Sequence, residues 1–153
     1  MTDDGVVTAR AEIFGSVFVI LQHLARRADA ELAPLGITTR QWLLLAVLTR
    51  GFAGRSPSLS EAAERYGSSR QNVKQIALGL EEHGFVRLVP DRLDARTTRI
   101  ELTERVTVFD EPKMVARQAA VLADACAGLS DEETLALRVL VRRWLLGVTS
   151  PAS

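Results

Sequence analysis

The side chains with the most chemical potential fall into two clusters: Ser69, Arg70, Gln71, Asn72, Lys74 and Gln75, and then Arg92, Asp94 and Arg96. Their chemistry is recognition. Glutamine and asparagine can form paired hydrogen bonds with adenine edges in a DNA major groove, while serine, arginine and lysine can contact phosphate or guanine. Arginines on a hairpin tip suit the minor groove, where a guanidinium meets strongly negative potential. Asp94 would be costly beside phosphate, so it is expected to orient Arg96 or Arg92. In isolation Gln71, Asn72, Lys74 and Gln75 would read as an ordinary solvated helix face, and only their surroundings turn the reading towards DNA. No nucleophile elbow, phosphate-cradling glycine loop, metal-ligand spacing or paired catalytic carboxylate is seen, so no catalytic residue, metal site or cofactor is expected.

The elements that position these clusters lie between Ser58 and Thr103. Ser58 and Glu61 form a capping-box signature that starts one helix, and Tyr66-Gly67 ends it in a tight turn. Ser68 with Gln71 repeats the signature at the start of another helix. In that second helix Val73, Ile76, Ala77 and Leu80 follow the spacing of a buried stripe. The stripe turns Gln71, Lys74 and Gln75 to solvent and leaves Asn72 towards the side. Two capped helices around one glycine make a helix-turn-helix candidate. Gly84 closes the second helix, Phe85 to Val89 reads as a strand, and Thr97 to Leu102 as its return partner. Arg92 and Arg96 then occupy the tip of a wing. Arg87 and Arg99, on the strands, suit either phosphate contact or protection of the strand edge.

The chain has 153 residues, 47% of them hydrophobic, enough for a packed core in one domain or two small lobes. Its formal net charge is zero. The distribution is uneven, because residues 40–100 hold ten Arg or Lys against six Asp or Glu. That segregation has the direction DNA binding requires. No apolar run reaches the roughly 18 to 20 residues of a membrane span, and Asp3-Asp4 opposes a secretory signal, so a cytoplasmic protein without a membrane partner is expected. Cys126 is the single cysteine. It excludes an intrachain disulfide, and its alanine-rich surroundings suggest a small buried core residue rather than a redox sensor. His23 and His83 read as surface or partly buried residues, not metal ligands.

Outside the wing unit the chain is helical. Phe14, Val17, Phe18, Leu21, Leu24, Ala25 and Ala28 trace one face of a helix over 11–32 that ends before Pro34 and Gly36. Thr38 and Gln41 open the next helix, whose core face is Trp42, Leu45, Ala46 and Leu48 and which ends near Gly51; a flexible connection then runs to Pro57. Met114 to Ala127 is rich in helix formers. Ser130 and Glu133 cap a last helix striped by Leu137, Leu140, Val141, Trp144 and Leu145. Between them, Asp110-Glu111-Pro112 leaves two readings open: a kinked connecting helix, or one that starts at Asp110 after a β-rich run through Val106, Val108 and Phe109. The terminal helices carry more apolar surface than one small lobe needs, which a twofold interface would explain.

Several of these segments resemble the MarR family of bacterial transcriptional regulators. The likeness is carried by Ile37-Thr38-Thr39-Arg40-Gln41-Trp42, Leu59-Ser60-Glu61-Ala62-Ala63, Ser69-Arg70-Gln71-Asn72-Val73, Leu80-Glu81-Glu82-His83-Gly84-Phe85-Val86, Asp91-Arg92-Leu93-Asp94-Ala95-Arg96 and Leu102-Thr103. It spans roughly residues 20 to 105, and its sharpest element is the Asp-x-Arg hairpin followed by Leu-Thr. The chain departs from the family pattern at Glu104-Arg105-Val106, where a Glu-Lys-Gly run is usual. The resemblance implies a recognition helix in the major groove at Ser69 to Gln75, a wing arginine in the minor groove at Asp94 with Arg96, and a homodimer built by the two ends. It also implies a small aromatic or anionic effector bound between the dimer helices and the lobe, for which Trp42, Phe14 and Phe18 are the candidates; for each, a packed core aromatic is the simpler reading.

The expected fold is mainly α with a small β-hairpin wing: a winged helix-turn-helix with a terminal helical dimerisation region. The expected division is 1–36 for the N-terminal dimerisation helix, 37–103 for the DNA-binding lobe and 104–153 for the C-terminal dimerisation helices. The expected partners are double-stranded DNA and a second copy of the chain, with half-sites about one DNA turn, roughly 34 Å, apart in an inverted repeat. Repression by promoter occupancy follows from the resemblance. The alternatives are a winged-helix protein-interaction module and a nonspecific nucleoid-associated binder.

Overall fold

Local capping signals and apolar stripes set the boundaries of nearly every element. The computed structural model describes residues 3–150. Helix α1 covers Asp3–Leu32 and is stopped by a short 3-10 turn at Ala33–Leu35. Helices α2 (Thr39–Gly51), α3 (Leu59–Tyr66) and α4 (Arg70–Glu82) follow, then strands β1 (Val86–Pro90) and β2 (Thr98–Leu102). A 3-10 segment, Glu104–Asp110, leads into α5 (Pro112–Ala125) and α6 (Asp131–Thr149). This is the expected winged helix-turn-helix with terminal helices, although α1 begins earlier than its apolar stripe suggests.

Three expected capping boxes form in full: Thr38 with Gln41, Ser58 with Glu61, and Ser130 with Glu133. The fourth does not form as a reciprocal box, and its cap shifts by one residue. Ser69, not Ser68, caps α4, its hydroxyl accepting from the Asn72 N–H at 3.1 Å. Ser68 belongs instead to the turn that closes α3 around Gly67 at φ 76°, its N–H donating to the Ala63 carbonyl at 3.0 Å and its hydroxyl accepting from Asn72 Nδ2 at 2.7 Å. At the other end of α4 the N–H of Gly84 reaches Glu81 and that of Phe85 reaches Leu80, each at 2.9 Å. This paired closure ends the helix and drops Phe85 into the core.

The lobe core joins Leu44, Leu45 and Leu48 of α2, Leu59, Ala62 and Ala63 of α3, and Val73, Ile76, Ala77 and Leu80 of α4. Phe85, Val86 and Ile100 close it from the hairpin. Leu44 takes the central place on α2, while Trp42 and Ala46 are only half-buried. The strands pair antiparallel with Leu88 opposite Ile100 and Pro90 opposite Thr98, each starting one residue later than the sequence suggests. The connection from Gly51 to Pro57 is tied down rather than flexible: Pro57 is fully buried, its carbonyl accepts from the Ile100 N–H at 2.9 Å, and Ser58 bridges to Arg99.

Of the two readings of the segment before α5, the fresh helix start holds to within two residues, and the β-rich run does not. Val106, Val108 and Phe109 form no strand; they coil into the 3-10 segment and pack on the lobe, with the Phe109 ring 5.9 Å from that of Phe85. Pro112 then occupies the first turn of α5, where its missing N–H costs nothing, so no kink is needed. Helices α5 and α6 bury no residue within the single chain, and the predicted α6 stripe is exposed. Cys126 is exposed where α5 stops, contrary to its expected core role. His23 is exposed, and the half-buried His83 ring sets Nδ1 2.8 Å from the Gly79 carbonyl.

The capping carboxylate of α3 makes the lobe sensitive to acid. The Ser58 N–H, then Arg55, push the Glu61 carboxyl from 4.5 down to about 2. A lowered folded-state value means that the stabilisation is complete above 4.5 and is lost as pH falls towards 2. Urea melts across that range should show declining stability in the parent chain and a shallower decline in Glu61→Gln; parallel declines would remove Glu61 as a cause.

Candidate nucleic-acid interface

The buried stripe of α4 dictates what its other face offers. Arg70, Gln71, Lys74 and Gln75 are exposed along that face. Ser69 is exposed too, with its hydroxyl engaged in the cap. Asn72 is half-buried and committed: its Nδ2 donates to Ser68 Oγ at 2.7 Å and its Oδ1 accepts from the Arg40 guanidinium at 3.0 Å. The Tyr66 hydroxyl donates in turn to the Arg40 carbonyl at 3.2 Å. Asn72 therefore ties the α3–α4 turn to α2, in keeping with its place on the side of the helix.

The wing tip is organised by two aspartates with different roles. Its base closes where the Asp91 N–H donates to the Thr97 carbonyl at 2.8 Å and the Thr97 N–H to the Asp94 carbonyl at 2.9 Å. The Asp94 carboxylate accepts from the Arg96 N–H at 3.0 Å and the Thr97 hydroxyl at 3.1 Å. It thus holds Arg96 through the main chain, and among the described residues it forms no ion pair with the Arg92 or Arg96 guanidinium. The aspartate–arginine pair of the wing is Asp91 with Arg99. Asp91 also accepts the N–H groups of Leu93 at 2.8 Å and Asp94 at 3.0 Å. The Arg99 guanidinium and then these two N–H groups hold the Asp91 carboxyl below its ordinary value. Both strand arginines have internal partners, since Arg87 stands 3.6 Å from Glu101.

Of the six cations on α4 and the wing, four are left over. Among the described residues Arg70, Lys74, Arg92 and Arg96 enter no ion pair. Arg70 at the start of α4 and Arg96 of the wing line one cleft of about 140 Å³ with Ser58, Ser60, Thr97 and Thr98. The two sequence clusters thus converge at the first turn of α3. Arg40, Ser60, Asp91 and Arg99 were not singled out for these roles by sequence; an aspartate at the start of a turn was the available sign for Asp91.

A separate cavity of about 250 Å³ lies between α1, α2 and α5. Leu21, Leu24, Trp42, Met114 and Val121 contribute to its largely apolar wall. Arg27 and Arg117 stand at its edge, paired with Asp124 and Glu31. Of the three aromatic candidates only Trp42 lines it. Phe14 and Phe18 lie elsewhere on α1, edge to face with centroids 5.1 Å apart and more than half exposed.

Residues 35–97, which run from the turn before α2 to the end of the wing loop, match the MarR family. Over 133 residues the chain is 29% identical to the transcriptional activatory protein BadR of Rhodopseudomonas palustris, covering 79% of this chain and 74% of that protein. Over its winged lobe the chain is thus similar to the MarR family. Among solved structures, the transcriptional regulator PA3341 is 27% identical with a TM-score of 0.64, covering 88% of this chain and 97% of that one. The fold is shared with MarR itself at 20% identity and a TM-score of 0.74, over 89% of this chain and 96% of that one. Members of that family are transcription regulators and not enzymes, and the comparisons support a DNA-binding regulator. Among the described residues no helix is long and apolar enough to cross a membrane.

The engaged amide of Asn72 gives this residue a structural place on α4. Asn72→Ala is expected to cost roughly 1 kcal/mol of stability, the worth of a typical net hydrogen bond, and to leave sequence preference intact. A changed preference at one base pair, read by competition binding, would instead put the amide on a base.

Proposed function

We propose that the chain is a cytoplasmic, homodimeric repressor that reads an inverted-repeat operator. The observation that supports this most is the convergence of α4 and the wing, with Arg70 and Arg96 on one cleft and Gln71, Lys74 and Gln75 exposed beside it. In this reading Gln71 and Gln75 face base edges in the major groove, Arg70 and Lys74 face phosphate or guanine, and Arg92 and Arg96 serve the minor groove. Ser69, Asn72 and Asp94 shape the surface that carries them. Residues 37–103 form the reading lobe, against which the 3-10 segment Glu104–Asp110 packs, while the helices of the flanking regions 1–36 and 104–153 pair two copies. The exposed apolar faces of α1 and α6 support that pairing, since Phe14, Phe18, Leu140 and Leu145 would otherwise stay in water.

The cavity beside Trp42 is the proposed effector site. Its apolar wall and the pairing of Arg27 and Arg117 with carboxylates favour an uncharged aromatic molecule over an anion. Such a ligand would act by preferring one arrangement of the lobe against α1 and α5, because ligands shift equilibria only through differential affinity. One observation favours a second direction of regulation: the relative BadR is named a transcriptional activatory protein. A promoter reporter with and without the protein decides between falling and rising transcription.

Selection of bound duplexes from a random DNA library tests the reading. An enriched inverted repeat supports a dimeric sequence reader. Binding that is steep in salt yet blind to sequence supports a nucleoid-associated binder, and weak DNA affinity a protein-interaction module. On the selected duplex, Gln71→Ala is expected to lose about 1 to 3 kcal/mol of discrimination at one or two base pairs. Arg96→Ala should weaken binding to every sequence and flatten the slope of log affinity against log salt by about 0.9, as for one neutralised phosphate. Titrations at several salt concentrations measure both; unchanged affinity and preference in folded variants would contradict the assigned contacts.

A further inference from the structure

We propose that Arg99 is a positioning residue for DNA reading: through Asp91 it fixes the wing tip against the start of α3, and it makes no contact with nucleic acid itself. The proposal rests on the reading of α4 and the wing as the DNA-contacting surface. Arg99 sits on β2, yet its side chain joins three segments. Its Nε donates to Asp91 at the wing base, and a terminal nitrogen donates to the Ser56 carbonyl at 2.9 Å in the α2–α3 connection and stands 3.6 Å from Glu61 on α3. The backbone supports the same junction, with Arg99 bridging to Ser58 and the Ile100 N–H donating to the Pro57 carbonyl at 2.9 Å.

Each partner of Arg99 has a defined role of its own. Glu61 accepts the Ser58 N–H at 2.7 Å and so fixes the first turn of α3. Asp91 holds the N–H groups of Leu93 and Asp94, which sets the course of the tip between Arg92 and Arg96. The Asp91 side chain is only 12% exposed, and that of Arg99 33%. A phosphate approaching Arg99 would meet Asp91 and Glu61 as well, so the local charge is already compensated. Arg92 and Arg96 carry no such counter-charge among the described residues. The planar guanidinium fork can address acceptors in several directions at once, whereas a lysine ammonium is a single point on a flexible stem.

Two conservative substitutions in the full chain, Arg99→Lys and Asp91→Asn, separate positioning from direct contact. Both should raise hydrogen exchange at the Leu93 and Asp94 amides without raising it in α4. Both should weaken binding to the selected duplex about tenfold, comparable to one lost charge-assisted contact. The double variant should be no weaker than either single one, because the two residues act as a unit. Direct phosphate contact predicts the reverse: Arg99→Lys would keep its affinity, and Asp91→Asn, having lost a negative charge near DNA, would bind as tightly as the parent or more so. Either result overturns the proposal, as does unchanged exchange at Leu93 and Asp94. If the parent chain selects no sequence, the DNA-reading role falls for Arg99 and for the lobe together, and the exchange data then show whether the clamp is present.

Discussion

The structure depends on the burial of one stripe, Val73, Ile76, Ala77 and Leu80, against α2 and α3. These side chains are what fix the rotation of α4 about its axis. A rotation of one residue, about 100°, would put Lys74 and Glu81 in the places of Val73 and Leu80, at a cost in both apolar transfer and charge desolvation. The hydrophobic term thus decides which polar side chains face outward. The polar side chains proposed for recognition are thus positioned by packing on the opposite side of the helix.

The wing is held differently. It has too few apolar contacts at its tip to be fixed by burial, since the only large apolar side chain there, Leu93, is 99% exposed. Its shape rests on backbone N–H groups captured by Asp91 and Asp94, and on Arg99 joining the base of the wing to the segment before α3. An exposed ion pair alone contributes only about 0 to 1 kcal/mol. Carboxylates that accept backbone N–H groups also specify geometry, so their contribution lies in preorganisation more than in stability. The result is a tip whose two arginines keep their charge unspent while the arginines on the strands do not. Net charge zero for the whole chain conceals that local sorting.

Much of this was legible in the sequence where the deciding interaction is local. Capping boxes at Thr38, Ser58 and Ser130 join residues three apart, and the stripes of α1, α4 and α6 are periodic, so both can be read without knowing the fold. The start of α4 slipped by one residue because Ser68 and Ser69 are chemically alike, and only the backbone bond closing α3 decides between them. The pairing of Arg99 with Asp91 depends on hairpin register, and the role of Asp94 on a turn conformation, so neither follows from residue type alone. Val106 to Phe109 alternates like a strand, yet it coils because packing against Phe85 outweighs an intrinsic preference. Phe14 and Phe18 joined Trp42 as pocket candidates by resemblance, and their distance from the cavity is a tertiary fact.

In the proposed mode of binding, one lobe presents α4 and the wing together to one face of a duplex. Methylation interference on a bound, selected duplex tests it most directly, because guanine N7 methylation blocks the major groove and adenine N3 methylation the minor groove. The expected result is interference at major-groove positions in each half-site, flanked by minor-groove interference on the outer side where the wing lies, with the two half-sites about one turn apart. Interference confined to one groove, or none in a complex that still forms, would contradict it.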